Sequence, residues 1–431
     1  MIKRVLNKFK NSKIAKNSMW MIITTVIQMI ISLAVNIIVA RYLSVEDYGV
    51  LNYGLSFINF FIGICTLGLN SITIKYLIID KDEQGKILGT CIVMRLISSI
   101  LSVIMIMLIV LILKDDKTII ITTLLQSIAL IFDSFSTINF WFQHKLQSKY
   151  SAIIAFVAYL FFAAYKIILV LLKKEIYWFA FSNCVSYIVI AILLIILYKK
   201  QGGQKLSFSW LKGKEMLSHS YHFILSSLMV ALYAQTDKIM IGSMLPDISA
   251  VGLYSVSTTI INLWSFLPNA IINSFNPVLV EKKKVSNKDY LTKLKQLYSI
   301  IFWISIVYTI FILIFGKLII TILYGQKYLG GLNSLRIGIF GVTFSFIGVV
   351  REFWLVCENK EKYAKWFAII GVITNVVLKF VLIPPMGIIG AAIATAFTQI
   401  MTGLVAPLLF KDTRECVFHL FDGIRLKFIK E

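Results

Sequence analysis

The chain has 431 residues, 58% of them hydrophobic and only 15% charged, with a mean hydropathy of +0.84. Soluble domains are nearer half apolar and a quarter charged, so this is the composition of a membrane protein; at roughly 20 apolar residues per spanning helix the length holds about a dozen spans and excludes a sizeable soluble domain. The net charge of +22 is carried in short stretches between apolar runs, where basic residues act as topology signals, and this removes nucleic acid from the expected partners.

The first charge-free run, Asn17 to Ala40, is 24 residues long and follows six basic residues with no small-residue cleavage site after it. It reads as a retained helix, not a signal peptide. Spans are expected near 17–40, 48–70, 90–113, 118–141, 151–172, 177–198, 217–243, 251–278, 296–316, 333–356, 366–383 and 387–410, twelve in all. Pro384 and Pro385 lack backbone donors and are expected to mark the turn between the last two. Counting Lys and Arg by alternate loops gives 30 on the side of the termini and 7 on the other, which places both termini in the cytoplasm. Cys65, Cys91, Cys184, Cys357 and Cys416 have no paired spacing, the four histidines have no ligand spacing, and no phosphate-binding loop is present. No disulfide framework, metal or cofactor is therefore expected.

A weak internal repeat joins the two ends of the pattern. Arg41-Tyr-Leu-Ser-Val-Glu-Asp-Tyr-Gly49-Val-Leu-Asn-Tyr53 parallels Ser243-Met-Leu-Pro-Asp-Ile-Ser-Ala-Val-Gly252-Leu-Tyr254, with Gly49 and Gly252 203 residues apart. Six spans separate the copies, so two six-helix halves of the same orientation are expected, with a substrate site between them, as in many transporters. The expected division is an N-terminal lobe at 1–198, a cytoplasmic linker at 199–216, a C-terminal lobe at 217–410 and a basic cytoplasmic tail at 411–431.

Four spans carry polar residues at helical spacing. They are Thr25, Gln28, Ser32 and Asn36 in the first, Asn52, Ser56 and Asn59 in the second, His222, Ser226, Tyr233 and Asp237 in the seventh, and Tyr254, Thr258, Asn262, Ser265 and Asn269 in the eighth. Single residues of this kind commonly serve as interhelical hydrogen-bonding groups, but whole stripes on repeat-equivalent helices predict a hydrated cavity. Gln28, Asn36, Asn59, Asn262 and Asn269 are its candidate substrate contacts. Within spans stand six basic residues (Arg95, Lys166, Lys238, Arg336, Arg351, Lys379) and three acidic ones (Asp133, Asp237, Glu352). Intramembrane charges default to function, and this excess favours an anionic substrate group held by Lys379, Lys166, Arg95, Arg41 and Arg351. The alternative for Arg95, Arg336 and Arg351 is snorkelling to the headgroups. Asp237 and Asp133 are candidates for ion coupling, because burial raises a carboxylate's affinity for a proton; the alternative for Asp237 is a pair with a basic residue on a neighbouring helix.

Asn36-Ile-Ile-Val-Ala-Arg41-Tyr-Leu-Ser-Val-Glu-Asp-Tyr-Gly49-Val-Leu-Asn-Tyr53 resembles the junction of the first two helices in bacterial polysaccharide repeat-unit flippases, the Wzx-type proteins of the MOP superfamily. Thr236-Asp237-Lys238-Ile-Met-Ile-Gly242 with Val251-Gly252-Leu-Tyr254 is similar to their seventh and eighth helices, Tyr324-Gly-Gln-Lys327-Tyr328 to a late outside loop, and Gly387-Ile-Ile-Gly390-Ala-Ala-Ile-Ala394-Thr to the twelfth helix. One departure is that Phe142-Gln143 runs into His144-Lys145-Leu146, without the acidic residue of the family's Phe-Gln-Gly-Leu-Glu-like stretch, so no role of that carboxylate carries over. The resemblance implies an all-α, MATE-like integral membrane protein of two six-helix lobes in the bacterial inner membrane. It also implies a transporter, not an enzyme, that flips undecaprenyl-pyrophosphate-linked oligosaccharide from the cytoplasmic to the outer leaflet by alternating access; ion-gradient coupling is the expectation that Asp237 and Asp133 add. Membrane lipids and other polysaccharide-assembly proteins are the implied partners. The rivals are a multidrug or cation antiporter of the same superfamily, against which the basic excess argues, and a polysaccharide polymerase or glycosyltransferase. An enzyme of that kind needs larger outside loops, and Glu46-Asp47 is read as capping the second helix.

Overall fold

The computed structural model describes residues 13–114 and 116–426, which are overwhelmingly helical and contain no strand. The basic residues at 1–12 and 427–431 and the side chains of Thr25 and Ser226, expected in two of the polar stripes, lie outside the described residues. In chain order the first helices are α1 (Lys13–Tyr42), α2 (Val45–Cys65), α3 (Leu69–Ile79), α4 (Gln84–Leu113), α5 (Lys117–Ser127), α6 (Ala129–Asp133), α7 (Ile138–His144), α8 (Ser148–Leu171), α9 (Ile176–Lys200) and α10 (Trp210–Met244). They are followed by α11 (Ser249–Leu263), α12 (Phe266–Val285), α13 (Asn287–Leu323), α14 (Leu332–Cys357), α15 (Ala364–Ile400), α16 (Ala406–Leu409) and α17 (Arg414–Ile424). Nine stretches among the described residues are long and apolar enough to cross a membrane, and α10, bent by 47°, makes a tenth. One of the nine, Glu361–Leu409, is broken at Gly387, and α1 adds the shorter apolar stretch Val26–Tyr42. The helices are thus consistent with twelve spans, and the protein is a multi-pass, all-α membrane protein.

Local chemistry sets the breaks. Ser44 caps α2, its hydroxyl oxygen accepting from the Asp47 backbone N–H at 2.9 Å, while Glu46 and Asp47 in the first turn complement the helix dipole. At the same 203-residue offset, Asp247 accepts from the Ser249 backbone N–H at 2.8 Å ahead of α11. The second copy thus has a side-chain to backbone contact ahead of its helix, but the N-cap position of α11 itself is Ile248, without a side-chain cap. Between α2 and α3 the chain turns through Leu67 and Gly68, both with positive φ (50° and 62°). The expected turn at Pro384-Pro385 falls slightly later: helical geometry runs through both prolines and fails at Gly387, with φ 58° and ψ −136°. That combination is open to glycine and strained for any other residue, so the prolines weaken the helix and the glycine turns it. Gly390 then packs on the Leu382 carbonyl, where a Cβ would clash.

The chain forms two compact units that divide between Gln235 and Thr236, inside α10. In the first unit, α3, α4, α7, α9 and α10 bury Leu77, Ile87, Leu88, Cys91, Trp141, Phe142, Leu194, Tyr198 and Met216 together. Trp141 Nε1 donates to Gln84 Oε1 at 2.9 Å, so the one polar atom of that large side chain is satisfied inside the core. Residues 204–209 lie along the start of α4: Gly85 N donates to Gln204 Oε1 (2.8 Å), and Ser209 N to Thr90 Oγ1 (3.0 Å). In the second unit, Tyr290, Tyr298, Trp354, Leu355, Phe367 and Leu420 are among the buried apolar and aromatic side chains.

Candidate functional site

Each unit encloses a charged pair among its apolar helices. In the second, Lys379 on α15 is fully buried and forms an ion pair with Asp237 on α10. Lys379 Nζ also donates to Asn375 Oδ1, one helical turn earlier. The other Asp237 oxygen accepts from Tyr254 Oη on α11 and from Thr395 Oγ1 at 3.1 Å. Asn375 in turn donates to Thr398 Oγ1 at 3.4 Å. An ammonium in a site without bulk water needs oxygen acceptors and a counter-charge, and α10, α11 and α15 supply both. The sequence makes Lys379 a candidate for an anionic substrate and Asp237 a candidate either for ion coupling or for a pair with a basic residue on a neighbouring helix; the fold forms such a pair between the two. Thr395 was not singled out, although it lies sixteen residues after Lys379 beyond the Gly387 break, a separation that periodicity along one helix does not connect.

In the first unit the pair is Arg95 on α4 with Asp133 at the end of α6, Nη2 to Oδ2 at 2.7 Å. Arg95 Nη1 donates to Thr137 Oγ1 (3.0 Å), and Nη2 also reaches Ser136 Oγ (3.3 Å) and the Asp133 carbonyl (3.4 Å). Here the fourth span tightens into a 3-10 stretch, Ser134–Thr137, where the sequence suggested one continuous helix. A guanidinium with five donors takes oxygens that a regular helix would keep for its own backbone. Arg351 on α14 is also buried; it pairs with Glu352 Oε1 at 2.5 Å, donates to the Thr402 carbonyl, and lies 4.5 Å from the Phe367 ring centre. Its acceptor Thr402 belongs to a single π-helical turn, Met401–Val405. Lys166 is half-buried with its ammonium 4.2 Å from the Phe162 ring centre, and Arg41 is exposed.

The polar stripes divide into groups. Asn36 Nδ2 donates to Ser32 Oγ at 3.4 Å, and Asn269 Nδ2 to the Ser265 carbonyl at 2.8 Å, each within its own helix. Asn59 and Asn262 are exposed on their units. Gln28 and Thr24 line a cavity of about 250 Å³ with Asn139 and Gln143 of α7 and Ser148, Ser151, Ala152 and Ala155 of α8. Asn139 and Gln143 are four residues apart in a short helix, a signal that was present in the sequence and not used. Among the described residues no cluster of three or more His, Cys, Asp or Glu has metal-binding geometry.

A model of the family described as polysaccharide biosynthesis protein matches residues 14–283. The chain belongs to the polysaccharide biosynthesis protein family. Among curated relatives, the uncharacterized membrane protein MJ1068 of Methanocaldococcus jannaschii is 25% identical over 231 residues, covering 51% of this chain and 45% of that protein. The chain thus matches less than half the length of that relative. Among solved structures, the lipid II flippase MurJ in an inward closed conformation aligns with a TM-score of 0.73 at 15% identity, covering 95% of this chain and 92% of that one. An inward-facing multidrug resistance MATE family transporter of the MOP superfamily aligns at 0.65 and 15% identity, covering 92% and 96%. A MOP superfamily transporter from Pyrococcus furiosus aligns at 0.61 and 14% identity, covering 95% and 96%. This family member therefore has the fold that MurJ and MATE transporters share, as the resemblance implied.

Proposed function

We propose that the protein is a flippase that carries a polyprenyl-pyrophosphate-linked oligosaccharide from the cytoplasmic to the outer leaflet of a bacterial inner membrane by alternating access, with both termini in the cytoplasm. The observation that carries this reading is membership of the polysaccharide biosynthesis protein family in a chain whose fold is that of MOP superfamily transporters. The described residues are almost entirely spans and short connections, an economy suited to moving a lipid-linked glycan and unsuited to polymerising one. In this reading the N-terminal lobe is 1–198, the linker 199–216, the C-terminal lobe 217–410 and the tail 411–431.

The pyrophosphate is met by basic side chains drawn from Arg41, Arg95, Lys166, Arg351 and Lys379, since an anion in a low-dielectric cleft needs opposing charge. Those already paired with carboxylates are held in place and exchange carboxylate for phosphate. Asn36, Asn59, Asn262 and Asn269 supply hydrogen bonds to the glycan. Asp237 and Asp133 couple the cycle to an ion gradient, because a cation that binds one state better than the other shifts their balance; at Asp237 the entering cation competes with the Lys379 ammonium. The test is made in the native cell. Deleting the chain is expected to strip surface polysaccharide and accumulate completed lipid-linked repeat units on the cytoplasmic leaflet. Accumulation of incomplete or unpolymerised units in the outer leaflet would instead assign the protein to assembly.

A further inference from the structure

The cavity between α1, α7 and α8 is built differently from the two charged pairs. Of the eight described residues that line it six are neutral and polar (Thr24, Gln28, Asn139, Gln143, Ser148, Ser151), and the other two are Ala152 and Ala155. Each helix turns one stripe toward it. Thr24 and Gln28 are four apart, as are Asn139 and Gln143, and Ser148, Ser151, Ala152 and Ala155 follow at intervals of three, one and three. Among the described residues no ionisable side chain lines the space, so a phosphate or a sugar acid would meet no counter-charge from them. An acyl chain would leave three primary amides facing hydrocarbon. Each amide offers two donors and an acceptor with two lone pairs, the set that sugar hydroxyl and acylamino groups complement.

Two further features fit a ligand of that kind. Ser151 Oγ is buried with no hydrogen-bond partner among the described residues, whereas buried polar atoms are as a rule partnered. The volume of about 250 Å³ corresponds to roughly eight waters at ~30 Å³ each, room for one pyranose ring. The paired alanines on α8 keep that side of the cavity open where larger residues would fill it.

We propose that this cavity is a subsite for one uncharged sugar residue of the lipid-linked glycan, held by the amides of Gln28, Asn139 and Gln143 and the hydroxyls of Ser148 and Ser151. The proposal rests on the transport reading above and assigns the sugar and the pyrophosphate to different parts of the chain. Binding of two probes to the full chain in nanodiscs tests it: polyprenyl pyrophosphate without sugar, and polyprenyl-pyrophosphoryl-N-acetylglucosamine. In the wild type the sugar-bearing lipid binds about tenfold more tightly, which corresponds to ~1.4 kcal/mol. In N139L/Q143L the ratio of the two affinities falls to about one. Ala155→Phe, which fills the cavity and deletes no hydrogen-bonding group, gives the same collapse and covers the case in which the double variant does not fold. Equal affinities in the wild type, or a ratio that survives Ala155→Phe, overturns the subsite while leaving the transport reading intact. Binding of neither lipid by the folded wild type overturns both.

Discussion

Removing the Lys379 ammonium strands a carboxylate that the fold holds away from water. Lys379 has no exposed side-chain surface and Asp237 retains 14%, so neither charge is well hydrated if the other is deleted. Breaking a buried pair by removing one partner costs about 3–5 kcal/mol, whereas replacing both with uncharged groups of similar shape is often nearly neutral. In Lys379→Met, Asp237 keeps the hydroxyl donors of Tyr254 and Thr395, which places the loss near ~3 kcal/mol, the lower end of that range. In Asp237→Asn the ammonium is left with neutral acceptors, the Asn375 oxygen among them, and the loss is nearer ~5 kcal/mol. D237N/K379M is expected to be more stable than either single variant. The assay is unfolding in mixed detergent micelles titrated with dodecyl sulfate and followed by tryptophan fluorescence. Additive losses in the double variant, or a Lys379→Met variant as stable as wild type, would refute the account of this pair.

Three other outcomes follow from the structure. Arg95→Lys supplies one ammonium where a planar guanidinium meets Asp133, Ser136 and Thr137, so it should not substitute; faster backbone hydrogen exchange at Ser134–Thr137 is the expected sign, and wild-type exchange would remove Arg95 as the cause of the 3-10 stretch. Gly387→Ala places a Cβ at φ 58° and ψ −136° with only Leu245 nearby, at 3.9 Å, so its cost is conformational, ~1–3 kcal/mol; Gly348→Ala, in helix and with nothing within 4 Å, should be neutral or stabilising in the same unfolding assay. In the C-terminal helix α17, burial and then the Lys295 ammonium hold the His419 imidazole below its ordinary 6.5, against the opposing pull of Glu415, Asp422 and Glu358. A depressed value favours the neutral ring in the folded state, so its contribution is present above pH 6.5 and is lost as pH falls through the folded value. Exchange protection of α17 should drop between pH 7.5 and pH 5.5 and should not drop in His419→Phe; equal acid sensitivity in both would exclude this histidine.

Much of the helical frame was legible because apolar runs and the charges between them are one-dimensional signals. Glu46-Asp47 reads as a cap from the sequence alone, and Ser44 with Asp47 makes that cap in the fold. The Gly387 break was placed a few residues early, since proline announces a helix end while the residue that must take positive φ sets its position. The charged candidates are identifiable one by one, and a basic partner for Asp237 is an open alternative, but which residues pair is not legible: 142 residues separate Asp237 from Lys379 and 38 separate Arg95 from Asp133. Periodicity relates residues along a helix and is silent about which helices become neighbours. For the same reason Gln28 was found as part of a stripe on α1, while Asn139, Gln143 and Ser151, which share its cavity from two other helices, were not.

Transbilayer movement of the lipid-linked glycan itself is the most direct measurement. Purified protein reconstituted into liposomes carrying a fluorescent polyprenyl-pyrophosphate oligosaccharide is exposed to an impermeant reagent that destroys the label in the outer leaflet only. The account predicts that the protected fraction drains in vesicles containing the wild-type chain and drains several-fold more slowly with D237N/K379M, which stays folded but lacks the charged pair. A protected fraction that stays as large as in protein-free vesicles, with the wild-type chain folded and inserted, would contradict it.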